Sequence, residues 1–303
     1  MIGNTFQFEW EVKLIEWCQG NLSPFIIKIL EILSYSGDTL FIVLIMGILY
    51  LCFDKKIGKK IILNVLLMLI LSSEIKNIFN RRRPYFDNSN IKLLKTINNE
   101  GDIYDISKQG FSFPSMHSAN IATTTGSIYY NYRKKLILLI GMALTFTVGI
   151  SRFILGCHYP TDVIVGWCLG IFVTVCFSKL QNKLSNKKIY MIVILVGFIG
   201  MFFCKSDDYF SSYGILLAFI ISMHIDDKYI GFKNTKSITR SIFRILLAGV
   251  TFYFISEALK VLFTNVDGYL SYICILLRYF ISTLIGLGLT PLLYKYNILR
   301  IKE

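Results

Sequence analysis

Hydrophobic runs long enough to cross a lipid bilayer recur along the 303 residues of this chain. Hydrophobic residues make up 54% of the sequence and the mean hydropathy is +0.57, which excludes a soluble globular protein. Because a helix needs about 20 apolar residues to cross the hydrocarbon core, we predict an all-α, polytopic transmembrane helix bundle of about nine spans. The predicted spans are 38–53, 57–79, 115–131, 134–156, 160–179, 188–204, 209–226, 241–263 and 270–293.

Two further elements are predicted before the first span. Residues 5–20 are amphipathic and carry Trp10 and Trp17, a pattern typical of an N-terminal helix that lies in the membrane interface. This segment lacks the basic start and the uninterrupted apolar core of a cleavable signal peptide. Ser23 and Pro24 predict the start of a second helix, which lengthens the short span that follows it.

Lysine and arginine accumulate at every second boundary between the predicted spans, which the positive-inside rule assigns to the cytoplasm. These basic boundaries lie at residues 55–60, 133–135, 179–188, 228–240 and 295–302. The alternation predicts a protein of the cell membrane whose N-terminus and loops 80–114 and 156–160 lie on the non-cytoplasmic side. This topology and phosphate binding explain the net charge of +13, and no nucleic acid partner is expected.

The most informative polar block runs from Ser151 to Asp162, between two hydrophobic runs, with the spacing S-R-x5-H-x3-D. The planar guanidinium of Arg152 matches the geometry of phosphate oxygens. An imidazole four residues before an aspartate, as in His158 and Asp162, can be held in one tautomer and act as a nucleophile. The block therefore predicts an anion clamp, a nucleophile and a group that orients it.

A second basic block ends a hydrophobic run earlier in the chain. Lys76 and Arg83 are seven residues apart, about two helical turns, so we predict that they share one helix face and that Pro84 ends that helix. An arginine run beside a membrane is also typical of a topology anchor, so we expect substitution of Arg81 to be milder than substitution of Arg83.

A third block, Phe113 to Ser118, precedes another hydrophobic run. Pro114 fits the first turn of a helix, which would leave the N–H groups of Ser115 and the following residues free to bind phosphate. The Ser115 hydroxyl adds a donor. His117 on the same turn is a candidate acid.

The three blocks together are similar to the signature motifs of the type 2 phosphatidic acid phosphatases, a superfamily that also contains vanadium haloperoxidases and glucose 6-phosphatases. The resemblance covers roughly residues 60–180, and both the order and the internal spacing fit. The matching residues are Lys76, Arg83, Pro84, Pro114, Ser115, His117, Ser151, Arg152, His158 and Asp162. Met116 stands where the family most often has glycine; it keeps the backbone N–H but bears on pocket volume and substrate choice.

The resemblance implies a phosphatase that works through a phosphohistidine. His158, oriented by Asp162, would attack phosphorus, and His117 would protonate the leaving oxygen and then activate water. The phosphoryl oxygens would be held by Lys76, Arg83, Ser115, Met116 and Arg152. No metal or other cofactor is expected, because His, Cys, Asp and Glu do not cluster with metal-ligand spacing in the sequence.

The leaving group remains open at this point. We expect a lipid phosphatase, which would accept phosphatidic acid, phosphatidylglycerol phosphate, a sphingoid phosphate or a polyprenyl diphosphate from the surrounding membrane lipids. A phosphatase for a soluble sugar phosphate is the alternative, favoured by a nine-span layout similar to that of the glucose 6-phosphatases. A transport or binding protein with a vestigial site is a third hypothesis, and the oligomeric state is left open.

The chain divides into three predicted parts. Residues 1–37 form interfacial and entry helices, residues 38–180 form a phosphatase core bundle with the three motifs, and residues 181–303 form a C-terminal accessory bundle of four spans.

Overall fold

A computed structural model of the chain describes residues 3–95, 103–264 and 266–295, and most of these residues are helical. The helices of the first half are α1 (Glu9–Asn21), α2 (Pro24–Ser34), α3 (Thr39–Ile48), α4 (Lys55–Phe79), α5 (Pro84–Asp87), α6 (Ile106–Gln109), α7 (Met116–Tyr132) and α8 (Lys135–Ile154). A 3₁₀ turn at Tyr35–Gly37 follows α2, and a π-helical segment at Leu49–Phe53 extends α3.

The second half continues the same helical pattern. Its helices are α9 (Pro160–Phe172), α10 (Ser178–Lys183), α11 (Asn186–Gly200), α12 (Asp207–Ile225), α13 (Ile238–Leu262), α14 (Tyr269–Thr283) and α15 (Pro291–Lys295). π-Helical segments at Val173–Phe177, Asp226–Ile230 and Leu284–Leu289 extend α9, α12 and α14. The prediction of an all-α polytopic bundle is confirmed.

The number of spans is not confirmed. Within the described ranges, six helical segments are long and apolar enough to cross a membrane: Lys55–Phe79, Lys135–Ile154, Pro160–Lys183, Asp207–Ile230, Ile238–Leu262 and Tyr269–Leu293. Pro24–Gly37 and Thr39–Phe53 add a seventh if they form one span bent by 50°. Two predicted spans correspond to helices that are shorter than 18 residues, since α7 has 17 residues and α11 has 15.

Two start signals in the sequence are confirmed at the atomic level. Ser23 caps α2 by accepting a hydrogen bond from the Ile26 N–H, and Pro24 is the first helical residue. Pro160 opens α9, and Asp162 in its first turn accepts a hydrogen bond from the Tyr159 N–H, which satisfies a donor at the helix start.

The chain forms two compact units, residues 1–42 with 71–182 and residues 43–70 with 183–303. In the first unit, α7 packs against α8 and α9. Gly166 of α9 makes the close approach possible, because a Cβ there would lie 2.6 Å from the Ser115 carbonyl oxygen. Helix α1 packs on the same unit through the buried Ile15, which belongs to a cluster with Tyr85 and Tyr159. This unit contains every residue of the three motifs.

The second unit is built around α12, which packs against α14. The ring of Tyr50 packs edge-on against those of Phe219 and Phe232. Lys55 and the buried Asp226 form an ion pair at 2.6 Å. The prediction of three functional parts stays a prediction.

Candidate active site

The first motif is split between a helix and an extended segment, so the prediction of one shared helix face is wrong. Helix α4 ends at Phe79, and Asn80 follows with a φ of +50°, in the left-handed region that asparagine tolerates better than most residues. Arg83 is already the residue before α5, with Pro84 as the first residue of that helix. The helix therefore stops four residues earlier than Pro84 would require.

Lys76 and Arg83 nevertheless interact with the same histidine, His158, and both donate hydrogen bonds to backbone carbonyl oxygens. The Lys76 ammonium donates to the carbonyl oxygen of Phe111 at 2.8 Å. The Arg83 guanidinium donates to the carbonyl oxygens of Gln109, Gly110 and Cys157. Both cations interact electrostatically with His158. They therefore supply positive charge near His158 and bind the backbone of residues 109–111 and of Cys157.

The second motif begins α7, with one correction to the predicted helix start. Ser115 is the N-cap and Met116 the first helical residue, so Pro114 lies before the cap and not in the first turn. The Ser115 Oγ accepts bonds from the Ser118 N–H at 3.4 Å and the Ser118 hydroxyl at 2.9 Å. First-turn N–H groups have no partner within the helix, so those of Met116 and His117 remain suited to an anion.

Arg152 lies in the last turn of α8 and is almost completely buried, with 2% of its surface exposed. No described residue accepts a hydrogen bond from its Nε or Nη1 group. Burying unpaired N–H groups of a guanidinium is costly, so such groups indicate a binding site for an anion. Arg152 interacts electrostatically with both His117 and His158, which brings the anion site to both histidines.

A tight turn connects Arg152 to His158. Gly156 has a φ of +74°, and a Cβ there would lie 2.4 Å from the Lys92 carbonyl oxygen, so the turn requires glycine. The backbone N–H groups of Cys157 and His158 both donate to the Arg152 carbonyl oxygen. Helix α9 then starts at Pro160 and carries Asp162. The third motif is therefore one continuous turn between two helices.

His158 is buried and its tautomer follows from its contacts. Its Nδ1 lies 2.9 Å from the Ser112 carbonyl oxygen, which can only accept, so Nδ1 carries the proton and Nε2 keeps the lone pair. Burial, and next the positive charge of Arg83, lowers the pKa of His158 well below its usual value. The imidazole is therefore neutral, and its Nε2 keeps a lone pair.

Asp162 is connected to His158 indirectly, through Ser112. Its carboxylate is 3.6 Å from Nδ1 of His158, longer than a hydrogen bond, but accepts from the Ser112 hydroxyl at 2.5 Å. Ser112 thus contacts both residues, with its carbonyl oxygen toward the histidine and its hydroxyl toward the carboxylate. The sequence reasoning missed Ser112, whose only signal is its place directly before Phe113 and Pro114.

Arg81 is the central cation of a buried ion network and not a surface anchor. Its side chain is fully buried and donates to Asp162 at 2.6 Å, Glu11 at 2.7 Å and the Thr161 hydroxyl at 2.7 Å. Its guanidinium also lies over the Tyr159 ring, 4.0 Å from the centroid. This environment contradicts the interpretation of Arg81 as a topology anchor. The network links the Asp162 carboxylate to Glu11 of α1 through Arg81, a connection that the motif spacing does not reveal.

His117 has a carboxylate partner that the sequence reasoning also missed. Its Nε2 lies 2.5 Å from Oδ1 of Asp38, and the Lys95 ammonium lies 3.5 Å from the same oxygen. The side chain of His117 remains 22% exposed, in contrast with that of His158. Its partial exposure suits a group that exchanges protons with a leaving group and with water.

Metal ligands do not converge within the described part of the chain. In residues 3–95, 103–264 and 266–295, no three His, Cys, Asp or Glu side chains are placed to hold a metal ion. The expectation that no metal takes part in the reaction stays a prediction.

Two family models match this chain. The model of the PAP2 superfamily, the type 2 phosphatidic acid phosphatases, matches residues 58–186. The model described as a PAP2 superfamily phosphatase transmembrane extension matches residues 210–300. The first match contains all three motifs, and the second covers most of the C-terminal half.

Curated relatives match shorter stretches. Phosphatidylglycerophosphatase B of Bacillus subtilis is 36% identical over 90 residues, which are 27% of this chain and 44% of that protein. Lipid A 4'-phosphatase of Bacteroides thetaiotaomicron is 25% identical over 192 residues, 60% of this chain and 81% of the relative. Undecaprenyl-diphosphatase of Sulfolobus acidocaldarius is 23% identical over 135 residues, 45% of this chain and 60% of the relative. The chain thus spans less than half of the first relative.

A solved structure is also similar. The crystal structure of Aquifex aeolicus LpxE has a TM-score of 0.47 and 26% sequence identity, with 57% of this chain and 97% of that chain covered. The two matching family models account for the motif region and for the C-terminal helices. The chain is therefore a member of the PAP2 superfamily, with a PAP2 domain at residues 58–186 and a PAP2 transmembrane extension at residues 210–300.

Proposed function

We propose that this protein is an integral membrane phosphatase that hydrolyses the phosphate ester or diphosphate of a lipid through a phosphohistidine. The observation that carries the proposal is the combination of a neutral, buried His158 with Arg152, whose Nε and Nη1 groups have no acceptor among the described residues. A lone pair on Nε2 beside cations is suited to attack a phosphorus atom whose oxygens those cations bind.

The reaction proceeds in two steps. In the first, Nε2 of His158 forms a bond to phosphorus as the bond to the leaving oxygen breaks, and His117 gives that oxygen its proton. Arg152, Arg83 and Lys76 stabilise the charge on the phosphoryl oxygens. In the second, His117 takes a proton from water, whose oxygen attacks phosphorus and breaks the bond to His158. Inorganic phosphate is released, and both histidines return to their starting states.

A lipid substrate is supported by the setting of the site. The first and third motifs lie at the ends of helices long and apolar enough to cross a bilayer, so a head group can reach them from one leaflet. The curated relatives include proteins described as acting on phosphatidylglycerophosphate, lipid A and undecaprenyl diphosphate. These are lipid phosphates or diphosphates, and none is a soluble sugar phosphate.

Phosphate release from a substrate panel tests the proposal. The purified protein should release phosphate from phosphatidic acid, phosphatidylglycerol phosphate and a polyprenyl diphosphate in mixed micelles far faster than from glucose 6-phosphate. The His158→Ala variant controls for contaminating phosphatases. A preference for glucose 6-phosphate would favour the sugar phosphatase, and no release from any substrate would favour the vestigial site. The rate should be unchanged by EDTA, since no protein group in the proposed steps needs a metal.

We also propose that the site faces the non-cytoplasmic side of the cell membrane, because basic boundaries alternate along the sequence. Single cysteines can be placed at Asn90 and Lys183, which are both exposed, in a variant without native cysteines. An impermeant thiol reagent added to whole cells should label position 90 and not position 183. The reverse pattern would place the active site in the cytoplasm.

A further inference from the structure

Asp38 stands at a break in the helical chain and contacts the acid-base histidine. It separates the 3₁₀ turn Tyr35–Gly37 from α3, with an extended φ of −68° and ψ of 144°. Its Oδ1 lies 2.5 Å from Nε2 of His117, although the two residues are 79 positions apart in the sequence. Neither the three motifs nor the proposed reaction assigns Asp38 any role.

The turn that carries Asp38 is fitted directly onto the first turn of α7. A Cβ on Gly37 would lie 3.2 Å from the Cβ of His117 and 2.7 Å from a methyl group of Val148. The side-chain amide of Asn120 donates to the Gly37 carbonyl oxygen at 3.4 Å. The backbone N–H of Asp38 donates to the Tyr35 carbonyl oxygen. These contacts hold the carboxylate at the imidazole.

The environment of His117 disfavours its protonated form, and a neighbouring carboxylate offsets this effect. Burial most of all, and then Arg152 and Lys95, disfavour a positive charge on His117, whereas Asp38 favours it through a hydrogen bond and through its negative charge. An acid that must carry a proton beside a phosphate-binding arginine needs such compensation. Asp38 is the anionic group that interacts directly with His117 among the described contacts.

We propose that Asp38 is the positioning residue of His117, so that the site contains a second carboxylate–imidazole pair on its leaving-group side. This inference rests on the proposed function, in which His117 is the acid and then the base. Asp38 accepts the Nε2–H bond, which leaves Nδ1 to give its proton to the leaving oxygen and later to take one from water. The carboxylate stabilises the imidazolium before the first transfer and after the second.

The leaving group distinguishes this role from a structural one. A p-nitrophenolate leaves without protonation, whereas an alkoxide needs the proton from His117. The value of kcat/KM reports only the first chemical step, so it can be compared for p-nitrophenyl phosphate and a short-chain alkyl phosphate. Asp38→Asn should lower kcat/KM about tenfold to a hundredfold for the alkyl phosphate and less than about threefold for the aryl phosphate.

Three further variants complete the design. His117→Ala should show the same selective loss, and the double variant should be no worse than His117→Ala alone, because Asp38 acts through His117. Asp87→Asn is the matched control, since it removes a carboxylate paired with Arg82 at 2.8 Å in the same unit. Asp87→Asn should change kcat/KM little, and by the same factor for both substrates. Asp38→Glu, which keeps the charge, should recover part of the alkyl phosphate rate.

The outcomes separate this inference from the proposed function. A p-nitrophenol burst followed by slow turnover in Asp38→Asn would support the inference, because hydrolysis of the phosphohistidine then becomes rate-limiting. An equal loss with both substrates, or an additive loss in the double variant, would overturn it. So would a gain in activity, which would mean that Asp38 holds His117 away from the substrate. If Asp38→Asn does not fold, Asp38→Ser takes its place, and an unchanged alkyl-to-aryl ratio in that variant would count against the inference. A wild-type protein inactive on both substrates would instead refute the proposed function.

Discussion

The two sides of the proposed active site are built differently. On the nucleophile side, His158 is 1% exposed, and the loop that carries it is held by Ser112, Arg83 and the start of α9. On the leaving-group side, His117 is 22% exposed and its partner Asp38 is 29% exposed. The nucleophile needs one tautomer and one position throughout, whereas the acid must exchange protons with substrate and water. The difference in burial follows the difference in chemical task.

The arginines show the same contrast. Arg81 makes ion pairs with Glu11 and Asp162 and donates to Thr161, so its hydrogen-bonding capacity is used within the protein. Arg152, equally buried, has two groups without an acceptor among the described residues. Burial alone therefore does not identify a substrate-binding arginine. The pairing of its N–H groups is what distinguishes the two cases: paired groups indicate a structural arginine, and groups without a protein acceptor indicate one that binds an anion.

The largest expected effect is at the nucleophile. His158→Ala should abolish turnover of every substrate, aryl phosphates included, because no other group can accept the phosphoryl group. His117→Ala should still release p-nitrophenol in the first step, which needs no proton for an aryl leaving group, and should then turn over slowly because the phosphohistidine lacks its base. A burst-phase assay of both variants on p-nitrophenyl phosphate checks the contrast, with a burst of p-nitrophenol expected only in His117→Ala. Equal losses in the two variants would remove the distinction between the two sides.

The next largest effect is expected at Arg152, the predicted anion clamp. Arg152→Ala should lower kcat/KM about 10²- to 10³-fold with little loss of thermal stability, because it removes charge stabilisation from the transition state. Arg152→Lys should recover little of it, since an ammonium cannot make the planar two-point contact. Inhibition by vanadate, a mimic of the transition state, should weaken in parallel. Unchanged vanadate affinity in either variant would argue that the phosphoryl group binds elsewhere.

Arg81→Ala should destabilise the protein by about 3–5 kcal/mol, because it leaves the buried carboxylates of Glu11 and Asp162 without their cation. Activity should fall together with stability, because the Asp162 carboxylate loses its fixed position beside Ser112. The melting temperature in detergent measures the effect, with Arg82→Ala as the matched control outside this network. A stability close to that of Arg82→Ala would restore Arg81 to the role of a topology anchor.

The smallest expected effect is on the acidic side of the pH profile. The pKa of His158 lies well below its usual value of about 6.5, so kcat/KM for an aryl phosphate should show no loss from His158 near pH 6. The unfolded chain binds that proton more readily than the folded one, so stability should fall as the pH drops below about 6.5. The stability of His158→Gln should depend less on pH over that range. A kinetic pKa near 6.5 that disappears only in His117→Ala would assign the titration to the other side of the site.

The sequence was sufficient for local features and insufficient for long-range contacts. The helical class, the start of α2 at Pro24 and the start of α9 at Pro160 follow from hydrophobic length and from proline at a first helical position. The shared helix face of Lys76 and Arg83 was wrong, because the spacing also fits a helix that ends at Phe79 and continues extended.

The partners of the motif residues could not be read from spacing. Glu11 and Arg81 are 70 positions apart, and Ser112 and Asp162 are 50 positions apart. A single sequence contains no signal that joins such pairs. Glu11 looked like an ordinary polar residue of an amphipathic helix, and Asp38 like the start of a span. Only the fold shows that Glu11 lies beside Arg81 and that Asp38 lies beside His117.

The central claim is that His158 receives the phosphoryl group. The most direct measurement is to incubate His117→Ala with radiolabelled p-nitrophenyl phosphate, quench rapidly and map the labelled residue by peptide mass spectrometry. The label should be found on His158 at up to one per chain, labile to acid and stable to base, as a phosphoramidate is. A label on Asp162 or Ser115, or a burst of p-nitrophenol without any covalent label, would contradict the account.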